Sequence, residues 1–306
     1  MSLKIIFLGT AGSIPTSTRG LPAVAIQRED ELILFDCGEG VQRQMIRTKV
    51  GFHRKTKIFI THMHGDHVLG LPGLIQTMAL LDRKKKIEVF GPFGIKAFIK
   101  GIQDTVHFVL TFPIEINEIK KSGLVCQEKE YEVHAAETSH EILSFAYAIV
   151  EKPRLGRFNT EKANTLGVPE GPLWSKLQHG EIVKLPNGRV VKPDQIVGEP
   201  RPGRKIVYSG DTRPNQSLLK LAENADLLIH EATFDDELVE RAKEDGHSTP
   251  TQAAETAKQA KVQRLILTHI SARYINTEAI LAQAKKSFPK VDVAEDYLKI
   301  EIPLKS

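Results

Sequence analysis

The stretch Thr61-His62-Met63-His64-Gly65-Asp66-His67 follows the apolar segment 57–60 and carries most of the information in this sequence. Its last six residues contain three imidazoles and one carboxylate. Imidazole and carboxylate ligands together suit Zn²⁺ or a similar divalent ion, and histidines two positions apart at a strand end project to the same side. We therefore predict that His62 and His64 bind one metal ion, with Asp66 and His67 placed for a second, as in a binuclear hydrolase.

Two simpler interpretations of this stretch are an exposed polar turn and a closed structural metal site. Closed structural zinc sites usually draw on cysteine, and the stretch contains none. The pattern therefore favours a catalytic centre, whose remaining ligands come from elsewhere in the chain.

Bulk composition sets few further limits. The chain has 306 residues, 41% of them hydrophobic, which is enough for a large core in one or two domains. Its two cysteines, Cys37 and Cys126, argue against a disulfide framework and favour a reducing, cytoplasmic location. No apolar run approaches the roughly 20 residues that span a bilayer, so no membrane partner is expected. A net charge of +4 and a pI of about 8.9 permit a polyanionic partner without requiring one.

Short apolar strands alternate with amphipathic helices along most of the chain, which predicts an α/β fold. Strands are expected at residues 4–8, 23–27, 31–35, 57–60, 86–90, 130–137, 142–150, 205–209, 227–230, 264–268 and 297–302. Helices are expected at residues 40–47, 68–81, 94–105, 216–223, 249–258 and 277–287.

An internal similarity indicates how these elements assemble. Residues 57–62 and 264–269 each consist of a basic residue, an apolar strand and a terminal Thr-His pair. Two half-domains of this kind, each delivering a histidine from a strand end, place both histidines at one sheet edge. We predict two sheets packed face to face with helices outside, a four-layer αββα sandwich that forms a single domain over residues 1–306.

The character of the sequence changes between residues 151 and 203. This segment holds seven of the 16 prolines and seven glycines, and its nine basic residues outnumber its six acidic ones. Two interpretations are open: a disordered surface insertion, or an inserted flexible arm that protrudes and contacts a polyanion.

Four further segments place metal-compatible side chains at the ends of predicted strands. These side chains are Asp36, His140, Asp211 and His269. Taken singly, such residues are usually turn caps or structural polar groups. Their recurrence at strand ends, in a chain that also carries the histidine-rich stretch, favours metal ligands.

The ordered set of these residues resembles the metallo-β-lactamase fold superfamily. Within it, the chain resembles the ribonuclease Z family, endonucleases that remove the 3′ trailer from precursor tRNA. The narrower resemblance covers nearly the whole chain and rests on residues 7–10 with Pro15 and Arg19, 35–44, 70–74, 230–233 and 246–249.

The resemblance implies two metal ions per subunit, most simply Zn²⁺ with Mn²⁺ as an alternative. The ligands are expected to form two sets and one bridging carboxylate: His62, His64 and His140; Asp66, His67 and His269; and Asp211. Asp36 and His230 are expected to lie behind the ligands and orient them by hydrogen bonding, although Asp36 at a strand end also fits a simple turn.

The resemblance also implies a mechanism. Two adjacent divalent ions lower the pKa of a bridging water, and the hydroxide attacks phosphorus in line, with Asp66 orienting or deprotonating it. His247 is expected to protonate the departing 3′ oxygen, with Glu231 fixing its tautomer and raising its pKa. The alternative for His247 is a solvated loop residue. The products are tRNA with a 3′-hydroxyl and a trailer with a 5′-phosphate.

RNA binding is expected to be largely electrostatic. The resemblance places the tRNA-binding arm at residues 151–203 and implies a homodimer in which one subunit's arm grips the tRNA cleaved by the other. Its contacts are expected to come from Gly171, Pro172, Arg154, Arg157, Lys162 and Lys176. Arg19 and Arg273 are expected to hold phosphates near the metals.

One loop departs from the family pattern. Many bacterial members carry Pro-x-Lys-x-Arg-Asn, linked to sensing the CCA end of tRNA, whereas residues 15–20 here read Pro-Thr-Ser-Thr-Arg-Gly. The response to tRNA that already ends in CCA is therefore left open.

Two rival functions fit part of the sequence. A small-molecule hydrolase of the same fold would share the metal ligands, but it needs neither a basic arm nor the His247 loop. A non-catalytic RNA-binding module would use its metals structurally, and the open coordination position of the predicted ligand sets argues against it.

Overall fold

The computed structural model describes residues 3–305 and divides them into two compact units. The larger unit comprises the described residues up to Val150 together with Lys205–Pro303. The smaller unit comprises Glu151–Arg204 with the described residues from Leu304 on. Among the described residues, no helix combines the length and the apolar character that a bilayer span requires.

The strands are mostly short and are numbered in chain order. They are β1 (Leu3–Gly9), β2 (Ala11–Gly12), β3 (Ala23–Arg28), β4 (Glu31–Phe35), β5 (Lys55–Phe59), β6 (Ile87–Pro92), β7 (Ile114–Ile119), β8 (Gly123–Gln127), β9 (Tyr131–Glu137), β10 (Phe145–Glu151), β11 (Val183–Lys184), β12 (Val190–Val191), β13 (Lys205–Tyr208), β14 (Leu227–Glu231), β15 (Leu265–Thr268), β16 (Ile270–Ser271), β17 (Val291–Val293) and β18 (Lys299–Glu301).

The helices follow the same numbering. They are α1 (Val41–Thr48), α2 (Gly65–Val68), α3 (Gly70–Leu80), α4 (Ile95–Thr105), α5 (Thr160–Thr165), α6 (Pro172–Gln178), α7 (Gln216–Ala222), α8 (Val239–Glu244), α9 (Pro250–Gln259) and α10 (Glu278–Ser287). Short 3₁₀ turns lie at Pro193–Gln195 and Asp236–Leu238.

Two seven-stranded sheets form the larger unit. Their strand orders are β18-β1-β3-β4-β5-β6-β7 and β17-β15-β14-β13-β10-β9-β8. The neighbours β4 to β7 run parallel, as do β13, β14, β15 and β17. The carboxyl ends of these parallel strands therefore meet at one edge of each sheet, where α/β folds usually build their sites.

Three apolar clusters define four layers. The first cluster lies between the sheets and contains Phe7 of β1 and Tyr147 of β10. The second packs the outer face of the first sheet on α1, α3 and α4, and the third packs the second sheet on α7, α9 and α10. The predicted αββα sandwich is confirmed.

Both faces of each sheet are covered, which explains why the strand sequences are continuous apolar runs. In β1, Leu3, Ile5 and Phe7 face the other sheet, whereas Ile6 and Leu8 face the helices. An alternating polar pattern would leave one of these faces unburied.

Several predicted boundaries are wrong. The helix expected at 68–81 is divided into α2 and α3, which meet at Leu69. The strand expected at 297–302 is shortened to β18, because Tyr297 adopts a left-handed backbone with φ of 71°. Strands β7, β8 and β17 were not expected at all.

The smaller unit has an apolar core of its own. The buried members of this core are Ala163, Val168, Leu177, Val183, Leu185, Val191 and Ile196. The rings of Phe158 and Trp174 lie 5.1 Å apart and pack against it. Helix α6 begins at Pro172, after Gly171 with φ of 130°, a backbone conformation that favours glycine. The segment expected to be either disordered or an extended arm thus contains short helices and a small core, and its flexibility stays a prediction.

A close backbone approach ties the start of α3 to the loop that follows β4. A Cβ atom at Gly70 would lie 1.9 Å from the carbonyl oxygen of Gly38, whereas a Cβ at Gly101 in α4 meets no atom within 4 Å. We predict that Gly70→Ala lowers the free energy of unfolding by about 1–3 kcal/mol, because the backbone must move apart. Gly101→Ala should raise it by up to about 1 kcal/mol, because alanine favours helix. Urea unfolding measures both, and equal effects of the two substitutions would contradict the steric argument.

Candidate metal centre

The first group of predicted ligands follows β5. His62 and His64 lie in the extended segment beyond the strand end, and the single turn of α2 then places Asp66 and His67. His62 and His67 are fully buried, whereas His64 and Asp66 are partly exposed. Helix α2 is thus a separate short turn, and it carries both Asp66 and His67 close to the end of β5.

The second group comes from the other sheet. Asp211 lies three residues beyond β13, and His269 directly follows β15 with a left-handed φ of 58°. His140 lies in the loop between β9 and β10. The two Thr-His pairs of the internal similarity do lie at strand ends, one from each sheet.

Three histidines form one set of facing nitrogen atoms. Nδ1 of His64 lies 3.1 Å from Nε2 of His62 and 3.2 Å from Nε2 of His140. Ligand atoms about 2.1 Å from a tetrahedral Zn²⁺ are separated by about 3.4 Å. The spacing of this set therefore fits a metal ion.

A second set has the same spacing. Nε2 of His67 lies 3.3 Å from Nε2 of His269, and Oδ2 of Asp66 lies 3.5 and 3.4 Å from these two nitrogens. Oδ2 of Asp211 lies 3.3 Å from His67 Nε2, 3.2 Å from His269 Nε2 and 3.8 Å from His62 Nε2. Asp211 is therefore within reach of both sets, as a bridging carboxylate must be.

His67 and His140 each have an outward nitrogen that already faces an acceptor. Nδ1 of His67 lies 2.7 Å from Asp36 Oδ2, and Nδ1 of His140 lies 2.8 Å from the carbonyl oxygen of Gly246. Neither carboxylate nor carbonyl oxygen can donate, so each Nδ1 carries the proton. The lone pairs on Nε2 of His67 and His140 then face the lone pairs of neighbouring ligand atoms. A bound cation would remove this electrostatic repulsion. This is the strongest sign that the described residues can hold divalent metal ions.

Asp36 supports the second set from behind. Its carboxylate accepts hydrogen bonds from the Thr61 backbone at 2.7 Å and from the Tyr208 hydroxyl at 2.9 Å, besides the contact with His67. Asp36 is fully buried and has a left-handed φ of 57°. A simple turn does not require a buried carboxylate with these three donors.

The electrostatics of the centre also call for positive charge. Burial lowers the pKa of His62 and His64, which leaves both rings neutral and able to ligate. Burial alone would raise the pKa of Asp211, but interactions with His269 and His67 outweigh it and hold that pKa well below its usual range. Burial alone would lower the pKa of His67, but Asp211 and Asp36 raise it well above its usual range. Without a metal ion, a proton on His67 supplies the missing positive charge.

Glu231 and His247 form a pair beside the metal ligands. Nδ1 of His247 lies 2.9 Å from Oε1 of Glu231, which ends β14. Burial alone would lower the pKa of His247, but Glu231 raises it to about 9. Nδ1 of His247 also lies 3.9 Å from Oδ2 of Asp211. Because this nitrogen faces Glu231, it is not free to bind a metal.

Several predicted residues have other contacts. His230 Nδ1 lies 2.7 Å from the backbone oxygen of Glu231, and none of the contacts described for His230 reaches a metal ligand. The Arg19 guanidinium donates to Thr10 Oγ1 at 2.7 Å and to the Ala294 carbonyl at 2.6 Å, so it ties its own loop to the fold. An internal tether of this kind leaves that guanidinium nitrogen unavailable to an RNA phosphate.

Arg273 lies close to the pair formed by Glu231 and His247. Its guanidinium is 4.8 Å from the ring of Phe234, and that ring is 5.8 Å from the ring of His247. In the smaller unit, Arg157, Lys162 and Lys176 are exposed, whereas Arg154 is partly buried and donates to the Lys305 carbonyl.

Sequence reasoning missed three contributors. Thr61 and Thr233 bring hydroxyl groups between the buried carboxylates and the histidines, and the Ser13 backbone donates to Asp66 Oδ2 at 2.9 Å. Threonine is common in strands and serine in turns, so neither residue type signals such a role. The Thr-His dipeptide at residues 61–62 was the one available clue.

Comparison with known proteins defines the class. A family profile described as "Anti-Pycsar protein Apyc1" matches residues 3–99, and one described as "Beta-lactamase superfamily domain" matches residues 195–270. Together with the two-sheet fold and the cluster of histidines and aspartates, they make the chain a metallo-β-lactamase superfamily member.

Full-length relatives narrow this class. The ribonuclease Z of Methanosarcina acetivorans is 51% identical over 302 residues, which cover 98% of both chains. The ribonuclease Z of Myxococcus xanthus is 45% identical and covers 99% of both chains. The crystal structure of human tRNase Z, short form, superposes on this chain with a TM-score of 0.73. The two sequences are 33% identical, and the match covers 98% of this chain and 100% of the human one. The chain belongs to the ribonuclease Z family of hydrolytic endoribonucleases, and the predicted family is confirmed.

Asp211 offers a direct test of the centre. We predict that Asp211→Ala loses metal, because no other carboxylate reaches both ligand sets within 4 Å among the described residues. Metal content per chain, measured by mass spectrometry after dialysis, should fall below that of the wild type. Asp292→Ala, which removes a half-exposed carboxylate paired with Arg264, is the control and should keep its metal. Full metal content in Asp211→Ala would show that the ligand assignment is wrong.

Proposed function

We propose that this chain removes the 3′ trailer from precursor tRNA with two divalent metal ions, most simply Zn²⁺, held in the candidate metal centre. As a member of the ribonuclease Z family, the chain is a metal-dependent endoribonuclease that processes the 3′ end of precursor tRNA. The observation that carries the finer proposal is the convergence of two three-ligand sets on the buried carboxylate of Asp211.

Each ligand set would hold one ion, with Asp211 shared between them. The sets are His62, His64 and His140, and Asp66, His67 and His269. When bound, the ions supply Lewis-acid chemistry, because they lower the pKa of water and neutralise the charge of the scissile phosphate. The histidine-rich donors favour Zn²⁺, and Mn²⁺ is the alternative.

Asp66 is the proposed partner of the attacking water. Burial alone would raise its pKa, but its hydrogen bond with His269 and the charge of His67 lower it, so the carboxylate is ionised and can accept a hydrogen bond from the water. The Ser13 N–H donates to Oδ2 and holds the carboxylate in place. Asp66 thus combines a ligand role with orientation of the nucleophile.

His247 is the proposed proton donor to the departing 3′ oxygen. Its ring centroid lies 5.3 Å from that of His140 and 5.4 Å from that of His269, which places the ring beside both ligand sets. Glu231 holds Nδ1 and favours the protonated ring. Donation from the protonated ring yields a tRNA 3′-hydroxyl and leaves the phosphate on the 5′ end of the trailer.

The basic side chains of the smaller unit are the proposed tRNA contacts. Arg157, Lys162 and Lys176 expose three positive charges, which suits recognition of a folded RNA by its phosphates. Gly171 and Pro172 position α6 within this unit, and Arg273 is the proposed phosphate contact beside His247. The family resemblance also supports a cytoplasmic homodimer in which each arm binds the tRNA that its partner cleaves.

Incubation with a 3′-extended tRNA transcript tests the function. We expect one cut at the tRNA 3′ end that a chelator abolishes, identified by sizing the products and by labelling their ends. The triple variant Arg157→Gln, Lys162→Gln, Lys176→Gln should raise KM and flatten the salt dependence, because three phosphate contacts are lost. Hydrolysis of bis(p-nitrophenyl) phosphate should be unchanged, since this small substrate needs no arm.

Removal of the same charge elsewhere controls that experiment. Lys84, Lys85 and Lys86 are exposed and pair with surface carboxylates, so their replacement with glutamine should leave both activities unchanged. If the two triple variants changed the KM for tRNA equally, residues 151–203 would have no specific role in tRNA binding. Absence of metal-dependent cleavage in the wild type would overturn the function itself.

The role of His247 predicts a characteristic pH profile. Turnover of tRNA should fall as pH rises through the pKa of His247, because the donor must carry a proton. Glu231→Gln removes the charge that raises this pKa, so the fall should move to lower pH. His247→Ala should reduce cleavage by about 10²–10⁴-fold and abolish this alkaline fall while metal content is unchanged. An unshifted profile in Glu231→Gln would separate Glu231 from proton donation.

A further inference from the structure

Two threonine hydroxyls connect buried carboxylates to metal ligands. Oγ1 of Thr233 lies 2.7 Å from Oε2 of Glu231 and 2.7 Å from Nδ1 of His269. Oγ1 of Thr61 lies 3.0 Å from both carboxylate oxygens of Asp36 and 2.9 Å from Nδ1 of His62. Both threonines are buried, and neither has a role in the mechanism above.

The single proton of the Thr233 hydroxyl fixes the direction of its two hydrogen bonds. Glu231 accepts the backbone N–H groups of Thr212 at 2.8 Å and of Thr233 at 3.1 Å, one on each carboxylate oxygen. A carboxylate surrounded by such donors only accepts, so the hydroxyl proton points to Oε2. Oγ1 must then accept a proton from Nδ1 of His269.

This direction determines the tautomer of His269. With its proton on Nδ1, the ring presents the lone pair of Nε2 to Asp66 at 3.4 Å and to Asp211 at 3.2 Å. That is the side on which a metal ion would bind. A histidine ligand usually donates its outer N–H to a carboxylate or carbonyl group, and here the threonine hydroxyl relays that contact to Glu231.

Thr233 also borders the proton donor. Its hydroxyl lies 3.3 Å from Nδ1 of His247, and it shares the carboxylate of Glu231 with that ring. The contacts thus run from His247 through Glu231 and Thr233 to His269. The equivalent contacts of Thr61 run from His67 through Asp36 to His62 and join two metal ligands instead.

We propose that Thr233 is a positioning residue that acts on both halves of the reaction. Its hydroxyl holds His269 in the tautomer that a metal ligand requires, and it holds the Glu231 carboxylate in the orientation that supports His247. Thr61 has the first of these effects on His62 and no effect on the proton donor. This inference rests on the proposed function, because it assigns Thr233 to the same metal centre and the same leaving-group step.

Substitutions that remove or keep the hydroxyl test the proposal. Thr233→Val preserves the shape of the side chain, Thr233→Ala removes any steric conflict, and Thr233→Ser restores the hydroxyl. Thr61→Val is the matched variant in the other sheet. Thr256→Val removes a buried hydroxyl that donates to the Gln252 carbonyl of its own helix, its one hydrogen bond among the described residues, so it controls for loss of a hydroxyl as such.

Two measurements separate the two effects. The first is Zn²⁺ affinity, from competition with a chromogenic chelator. The second is turnover at saturating Zn²⁺ on 3′-extended tRNA, whose leaving oxygen needs a proton, and on bis(p-nitrophenyl) phosphate, whose leaving group does not. The ratio of the two turnover numbers therefore reports proton donation apart from metal binding.

We expect Thr233→Val and Thr233→Ala to weaken Zn²⁺ binding by about 10–100-fold and to lower tRNA turnover at least about tenfold more than that of the small substrate. Thr61→Val should weaken Zn²⁺ binding and leave the ratio unchanged. Thr233→Ser should recover both properties, and Thr256→Val should match the wild type.

Three results would overturn the inference: wild-type Zn²⁺ affinity in Thr233→Val, a ratio no lower in Thr233→Val than in Thr61→Val, or failure of Thr233→Ser to recover. A wild-type enzyme that binds Zn²⁺ but leaves precursor tRNA intact would instead refute the proposed function. The Zn²⁺ affinities would still decide the role of Thr233 in metal binding.

Discussion

The structure depends on the burial of negative charge at the edge where two sheets meet. Three carboxylates are buried there, Asp36, Asp211 and Glu231, and a fourth, Asp66, is partly buried. An ionised carboxylate in such an environment is costly unless hydrogen-bond donors and positive charge surround it. Backbone N–H groups, the Thr61 hydroxyl and the Tyr208 hydroxyl supply donors to Asp36, and the histidine cluster supplies places for cations. The metal centre is therefore arranged around negative charges that bound cations balance, or that protonated histidines balance in their absence.

The two sheets contribute to this edge in similar ways. Each ends a buried parallel strand with a Thr-His pair, and each adds a carboxylate from the end of a neighbouring strand: Asp36 after β4, and Glu231 at the end of β14. The small parallel pair β2–β16 brings Gly12 against His269. A Cβ atom at Gly12 would lie 2.7 Å from Nδ1 of that histidine. Rigid strand ends and one glycine thus fix ligands that lie about two hundred residues apart in the chain.

Sequence patterns predicted strands buried on both faces well, and predicted partly exposed strands and very short elements poorly. The strand expected at 31–35 has the observed bounds of β4, because a run buried on both faces and ended by Asp36 is a strong signal. Strand β7, with the sequence Ile-Glu-Ile-Asn-Glu-Ile, lies at the edge of its sheet and is only partly buried, which weakens its pattern. The core of the smaller unit was missed because helices of six or seven residues and strands of two residues are too short to show a period.

The candidate ligands could be predicted because three histidines and one aspartate fall within residues 62–67 and more follow other strands, whereas the threonines that contact them carry no such signal. The division between α2 and α3 could not be predicted either, because the apolar pattern continues through Leu69. Arg19 makes contacts that its sequence context does not reveal. One guanidinium nitrogen donates to the Thr10 hydroxyl and the Ala294 carbonyl, and its phosphate contact stays a prediction.

The same local arrangement supports two different roles for histidine, and distance decides between them. His67 and His247 each place Nδ1 against a buried carboxylate, at 2.7 Å from Asp36 and 2.9 Å from Glu231. The Nε2 of His67 then lies 3.3 Å from Asp211 and 3.5 Å from Asp66, within a ligand set. For His247, the atom that comes near Asp211, at 3.9 Å, is Nδ1, the nitrogen that already faces Glu231. The proposed role of His247 as proton donor fits this arrangement, because Nδ1 is held by Glu231 and the ring is not turned into a ligand set.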